Sequence, residues 1–176
     1  YVVVRVDSRG AGRSEGEIDC WSLREAQDYY NCIELFAVQP YSDGKVGLLG
    51  ISYYAVNQWQ VAALQPPHLT AICPFEGCND MYRDVARHGG IMCSFICKWN
   101  IGQIKNLRHG IGDNGYISSI TGLPVTGPET LSNEELQAKK AAQLDKHFAE
   151  YEMMNDNYAS RTTALSKVEG HVLACG

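Results

Sequence analysis

Ser52 is the residue whose setting points to chemistry. It stands in the stretch Lys45 to Leu64, KVGLLGISYYAVNQWQVAAL, where an apolar run ends in Gly50-Ile51-Ser52 and an uncharged helical stretch follows. A serine at a tight strand-to-helix corner, with glycine two residues before it, presents its hydroxyl for nucleophilic attack on a carbonyl. Glycine is expected at position 50 because a side chain there would crowd the turn. The general pattern Gly-x-Ser-x-Gly asks for a second glycine at 54, where this chain has Tyr54.

A second glycine-bearing stretch invites a different chemistry. Gly10-Ala11-Gly12 follows the apolar run YVVVRVD, as in a dinucleotide-binding loop. Its glycines at 10, 12 and 16 are one residue off Gly-x-Gly-x-x-Gly. The next helix begins near Ser22, too far along for its N-terminus to face a pyrophosphate. No nucleotide cofactor is expected. The seven cysteines (20, 32, 73, 78, 93, 97 and 175) have irregular spacing without Cys-x-x-Cys, so they read as reduced structural thiols and not metal ligands. That usage suggests a reducing, cytoplasmic setting. Fifteen basic and twenty acidic residues, with no basic stripe among aromatics, argue against nucleic acid as a partner. No apolar run approaches the roughly 18 residues of a membrane span.

The elements around Ser52 follow from pattern. Tyr1 to Val6 is rich in β-branched residues and reads as a strand buried on both faces of a parallel sheet. Ser22-Leu23-Arg24-Glu25 is a capping box, opening a helix with Leu23, Ala26, Tyr30, Ile33 and Ala37 on one core-facing stripe. Gln39-Pro40 ends that helix, and Ser42-Asp43-Gly44 turns the chain into a strand from Lys45 to Leu49. The helix from Tyr53 to Leu64 carries no charge and must be mostly buried, with Tyr54 and Trp59 in the core. Leu69 to Cys73 is the next strand. Strand, helix, strand, helix, strand predicts right-handed crossovers and an α/β parallel sheet.

Beyond Pro74 the pattern changes. Residues 75 to 120 hold aromatics and glycines but few strand signals, and Thr121 to Pro128 is a loop. Ser132-Asn133-Glu134-Glu135 is a second capping box, opening a helix through Leu136, Leu144, Phe148 and Tyr151. Val168 to Ala174 returns to the sheet. The expected division is a core at 1–74, a mostly helical insertion at 75–166 and a returning strand at 167–176. Both ends cut through apolar strands, so the chain reads as an internal part of a longer protein.

Taken together, DSRGAGRSEG, KVGLLGISYYAVNQWQVAAL and LTAICPFEGCNDMYRDVARHGG resemble the X-Pro dipeptidyl-peptidase and cocaine-esterase-like branch of the α/β-hydrolases. That branch writes its corner as Gly-x-Ser-Tyr-x-Gly, so Tyr53 fits, Tyr54 is no departure, and the difference moves to Ala55. The resemblance implies an α/β-hydrolase sheet under a helical cap. It implies Ser52 as nucleophile, with Gly50 and Ala55 shaping the elbow. The backbone N–H of Tyr53 becomes one donor of the oxyanion hole, the site that stabilises the tetrahedral intermediate's charge. The second donor, the triad acid and the histidine are implied to lie outside residues 1–176. The implied activity is cleavage of an ester or amide acyl bond, on a small-molecule ester or amide or a short peptide.

Some α/β-hydrolases place the acid after the strand equivalent to 69–73, which makes Asp80 the internal candidate; otherwise it anchors the insertion. His68, His88, His109 and His147 lack a supporting pattern, and His171 would enter its strand at the end away from the serine. Phe75, Tyr82 and Trp99, with Phe95, are candidates for apolar pocket walls or for packing between cap helices. A non-catalytic binding module on the same fold is the alternative reading.

Overall fold

The computed structural model describes residues 1–11, 14–109, 119, 120, 122, 142 and 144–175. In chain order the elements are α1 (Leu23–Ala37), β1 (Val46–Ile51), α2 (Tyr53–Ala62), β2 (Leu69–Phe75), a π-helical turn (Met81–Ala86), β3 (Arg87–His88), β4 (Ile91–Met92), α3 (Ser94–His109), α4 (Leu144–Glu150), α5 (Asp156–Arg161), a 3₁₀ turn (Leu165–Lys167) and β5 (His171–Val172). They fall into two compact units. Tyr1–Val4, Trp21–Cys93 and Tyr151–Gly176 form one; Arg5–Cys20 and Ser94–Glu150 form the other. Of the insertion expected at 75–166, residues 94–150 belong to the second unit, while 75–93 and 151–166 go with the sheet.

The first unit is built on a parallel sheet in the order β1-β2-β5. Helix α1 starts where its cap lies, with Ser22 Oγ accepting the Glu25 N–H at 3.1 Å. Ala26, Ile33 and Ala37 are buried as the stripe predicts, but Leu23 is 62% exposed, so the stripe begins a turn later. Ile33 of α1 and Val61 and Ala62 of α2 pack on Leu48 and Ile72 of the sheet, flanked by Tyr29, Tyr30, Trp59 and Val168. Each of the isoleucine, valine and leucine side chains contributes about 1.5–3 kcal/mol when fully buried, and the Ala62 methyl less. Along β1 the inward Leu48 is buried, whereas its neighbour Leu49 is 75% exposed and Ile51 52%. That alternation is the two-residue period of a strand covered on one face.

Three expectations change here. Tyr1–Val6 forms no strand, and Val2, Val3 and Val6 are all more than half exposed. A β-branched run becomes a strand only when a neighbouring edge takes up its N–H and C=O groups. Among the described residues β1 pairs with β2 alone, and nothing is laddered to residues 1–6. The strands also run further than expected, β1 to Ile51 and β2 through Pro74 to Phe75, because the pairing Gly50↔Pro74 and Ile51↔Phe75 continues. Pro74 lacks a donor, but its carbonyl still accepts the Cys175 N–H at 3.4 Å. Finally, 87–92 holds a short hairpin, β3 with β4, turned by Gly89 (φ 61°) and Gly90 (φ 86°). Positive φ at both central residues is the hairpin-turn geometry that Gly-Gly suits.

In the second unit, α3 packs with α4, whose Leu144 and Phe148 are buried. The glycine stretch folds on itself. The N–H groups of Gly10 and Ala11 donate to the carbonyls of Glu15 and Ser8, at 3.0 and 2.9 Å. A Cβ at Gly10 would come within 2.6 Å of the Ile18 nitrogen, so close backbone approach is what requires glycine there. These amides are turned inward, unlike those of a phosphate cradle. Apart from Gly122, the loop at 121–128 and the capping box at 132–135 lie outside the described residues. Among the described residues no helix is long and apolar enough to cross a membrane.

Candidate active site

β1 ends at Ile51 and α2 begins at Tyr53, leaving Ser52 alone to make the corner. It does so at φ 58°, ψ −116°. A non-glycine residue at such a φ costs about 1–3 kcal/mol and persists only where surroundings over-determine it. The surroundings are visible. The Ser52 N–H donates to the Phe75 carbonyl at 3.0 Å, and its own carbonyl accepts from Ala55 and Val56 at 2.9 and 3.0 Å. Ser52 occupies the N-cap position of α2, yet its side chain makes no capping bond, and the residue is exposed. Tyr53 opens the helix, so its backbone N–H lies at the positive end of the helix dipole, beside the serine.

Two glycines make room for this corner. A Cβ at Gly50 would stand 2.4 Å from the Tyr54 Cβ and 3.2 Å from Gln58 Nε2, so the sharp turn forbids a side chain as expected. Ala55, the departure from the glycine of the resembling pattern, is fully buried, and its methyl faces Gly77, where an added Cβ would sit 2.7 Å away. The absence of a side chain at 77 accommodates the methyl at 55. Gln58 ties the corner to the sheet: its Nε2 donates to the Tyr54 carbonyl at 2.9 Å and its Oε1 accepts the Cys73 N–H at 2.9 Å. Tyr54 was expected in the core but is 68% exposed. It lies in the first turn of α2, whose buried residues begin at Ala55. Trp59 packs against the core as expected.

The capping-box glutamate does more than the sequence signals. Its carboxylate accepts from the N–H of Trp21, at 2.8 Å, and from the hydroxyl of Tyr53, at 2.6 and 2.8 Å to its two oxygens. The Trp21 and Tyr53 rings lie 4.8 Å apart. Helix α1 thereby reaches the residue after Ser52.

Among the other candidates, Asp80 is engaged as a cap. It opens the π-helical turn, accepting from the N–H groups of Tyr82 and Arg83 and pairing with the Arg83 guanidinium. Burial raises its pKa, but the Arg83 amide and guanidinium and the Tyr82 amide outweigh that and hold it below its usual value. Asp84 accepts from the N–H groups of Asn79 and Asp80, closing the same turn. His88 Nε2 contacts the Asp84 carbonyl at 2.6 Å, and His68 Nδ1 pairs with Glu34 at 2.7 Å. His171 pairs with Ala71, four residues before Cys175, which is level with Phe75. At roughly 3.3 Å per residue that puts it about 13 Å from the serine's edge of the sheet. Phe75 is next to Ser52 by register and by the hydrogen bond its carbonyl accepts from the Ser52 N–H. Tyr82 donates its hydroxyl to the Glu152 carbonyl at 2.8 Å and meets the Tyr158 ring edge-on. Trp99 lies on α3 in the second unit, as does Phe95, which is 68% exposed. Among the described residues no group of three or more His, Cys, Asp and Glu is placed to hold a metal. Glu25, Gln58 and Gly77 are the residues the sequence reading did not tie to the corner. Their partners lie across the fold, and only the uncharged run holding Gln58 hinted at burial.

A parallel sheet with crossover helices, turning at a strained serine between strand and helix, defines an α/β-hydrolase fold. The fold is shared with a crystal structure of a CocE/NonD family hydrolase from Staphylococcus aureus, at TM-score 0.73 and 35% identity over 93% of this chain and 24% of that one. The family described as X-Pro dipeptidyl-peptidase (S15 family) matches residues 1–171, and the chain belongs to it. The cocaine esterase of Rhodococcus sp. is 40% identical over 83 residues, 47% of this chain and 14% of that protein. A Mycobacterium bovis protein, provisionally named a serine esterase, is 27% identical over 158 residues, 87% of this chain. The chain spans 24% of that relative's length.

Proposed function

We propose that the protein carrying this chain is a serine hydrolase that cleaves an ester or amide acyl bond through an acyl-enzyme. Ser52 Oγ attacks the carbonyl, and the Tyr53 N–H donates to the oxyanion as it forms. A histidine and an acid from outside residues 1–176 take the serine's proton and orient that histidine. Water then releases the acyl group. The observation that carries the reading is Ser52 at φ 58°, ψ −116°, exposed at the corner and making no capping bond. Family membership supports it, and so does β5: Cys175 bridges Phe75, which pairs with Ile51. A residue following β5 therefore leaves at the edge of the sheet that carries Ser52. Phe75 is the best-supported pocket wall. The substrate class is a small ester or amide, or a short peptide. Ser52→Ala in the whole protein should lower kcat on a p-nitrophenyl ester or an Xaa-Pro anilide by about 10⁴ or more. Retained turnover would remove Ser52 from the mechanism, and a wild type inert to both substrates would favour a binding module.

A further inference from the structure

Ser52 shares its positive φ with a residue that leads into the other helix. Trp21, just before the cap of α1, stands at φ 57°. Both of its backbone groups are taken: its N–H by Glu25 Oε2 at 2.8 Å, its carbonyl by the side-chain amide of Gln60 at 2.7 Å. Gln60 is buried on α2. Glu25 is itself fixed, since its N–H is held by Ser22 Oγ. Its carboxylate bridges Trp21 to the residue that follows Ser52, because it also receives the hydroxyl of Tyr53. The Tyr53 ring is held from the side by the Trp21 ring at 4.8 Å.

The direction of the Tyr53 N–H is set by the torsions of Ser52 and Tyr53 together. A side chain pinned at its far end and along its face restricts how Tyr53 can turn. It also opposes relaxation of Ser52 out of the left-handed region. An oxyanion donor works by being fixed before charge develops, and a misplacement of about 1 Å can cost up to about 10²-fold in rate. We propose that Glu25 is a positioning residue for the oxyanion hole, acting through the Tyr53 hydroxyl to hold the Tyr53 N–H and Ser52 in reacting geometry. The inference rests on the serine-hydrolase reading above.

The test uses the whole protein, with p-nitrophenyl acetate turnover and the rate of Ser52 labelling by a fluorophosphonate. Tyr53→Phe and Glu25→Ala should each slow acylation about tenfold with KM within about twofold, short of the ~10²–10³ that loss of an oxyanion donor costs. The double variant should be no slower than the slower single one. Glu25→Gln, which keeps a carbonyl acceptor, should recover most of the rate. Glu34→Gln is the structural control: Glu34 also ties α1 to the sheet, through the His68 N–H at 3.2 Å and Nδ1 at 2.7 Å, but away from the corner. It should lower thermal stability and leave acylation unchanged. Wild-type acylation in Tyr53→Phe, additive losses in the double variant, or equal slowing by Glu34→Gln would each overturn the proposal. If Glu25→Ala does not fold, Tyr53→Phe, lacking one oxygen, decides. A wild type that labels normally beside unaffected variants sinks the role of Glu25 alone, whereas a wild type unlabelled at Ser52 sinks the hydrolase reading beneath it.

Discussion

Gly77→Ala probes how this chain tolerates alanine at 55. The new Cβ would sit 2.7 Å from the buried Ala55 Cβ, about 1 Å inside the roughly 3.5–4.0 Å optimum for two carbons. Overpacking of that kind costs about 1–3 kcal/mol. Gly77 is outside the left-handed region, so alanine there adds no backbone strain and gains about 0.4–1 kcal/mol by restricting the unfolded chain. The net expectation is a loss of about 1–2 kcal/mol. Ala55→Gly alone removes a buried methyl worth about 0.8 kcal/mol and up to about 1 kcal/mol of helix propensity in α2. If the two sites share one space, the double variant places a methyl where one was vacated. It should lose no more than about 2 kcal/mol, against about 3–4 for a simple sum. Chemical denaturation of all four proteins gives the cycle directly. Because Gly77 backs the helix that starts at Tyr53, Gly77→Ala should also slow fluorophosphonate labelling, and the double variant should restore it. Additivity within about 0.5 kcal/mol would refute the shared-space argument.

Asp80→Asn keeps a capping oxygen and removes the charge. Because the folded carboxyl titrates below its usual 3.8, its stabilisation is present above about pH 4 and is lost as pH falls through the folded value. The variant should therefore be slightly less stable than wild type at pH 7, by under about 1 kcal/mol because Arg83 is exposed, with the gap closing in acid. A gap that widens below pH 4 in thermal melts would contradict the assignment. Residues 1–176 expressed alone should self-associate, since Val2, Val3, Leu49 and Ile51 are exposed and, among the described residues, one edge of β1 is unpaired. A monodisperse monomer with a cooperative melt would count against this.

What could be read from sequence divides along the range of the interaction. The corner at Ser52 and the cap at Ser22 are local signals, written within a few residues, and the structure carries both; of the expected crossovers it carries the parallel one from β1 through α2 to β2. The strand at Tyr1–Val6 was written just as clearly but depends on a neighbour, and its pattern alone did not supply one. The hairpin around Gly89-Gly90 was not legible, because its flanks, Arg87-His88 and Ile91-Met92, are too short to show alternation. The π-helical turn at 81–86 has no pattern of its own and follows from Asp80 capping its first amides while Asp84, inside the turn, reaches back to the N–H groups of Asn79 and Asp80. Glu25 is instructive because half its role was legible. The spacing from Ser22 gave the cap, while the bond to a hydroxyl 28 residues away exists only once α1 and α2 are packed.

The most direct measurement of the central claim is site mapping of a fluorophosphonate on the whole protein by peptide mass spectrometry. A strained, uncapped serine beside a helix N-terminus predicts one adduct, on Ser52, absent in Ser52→Ala and in heat-denatured protein. No adduct, or one on another serine that persists in Ser52→Ala, would contradict it.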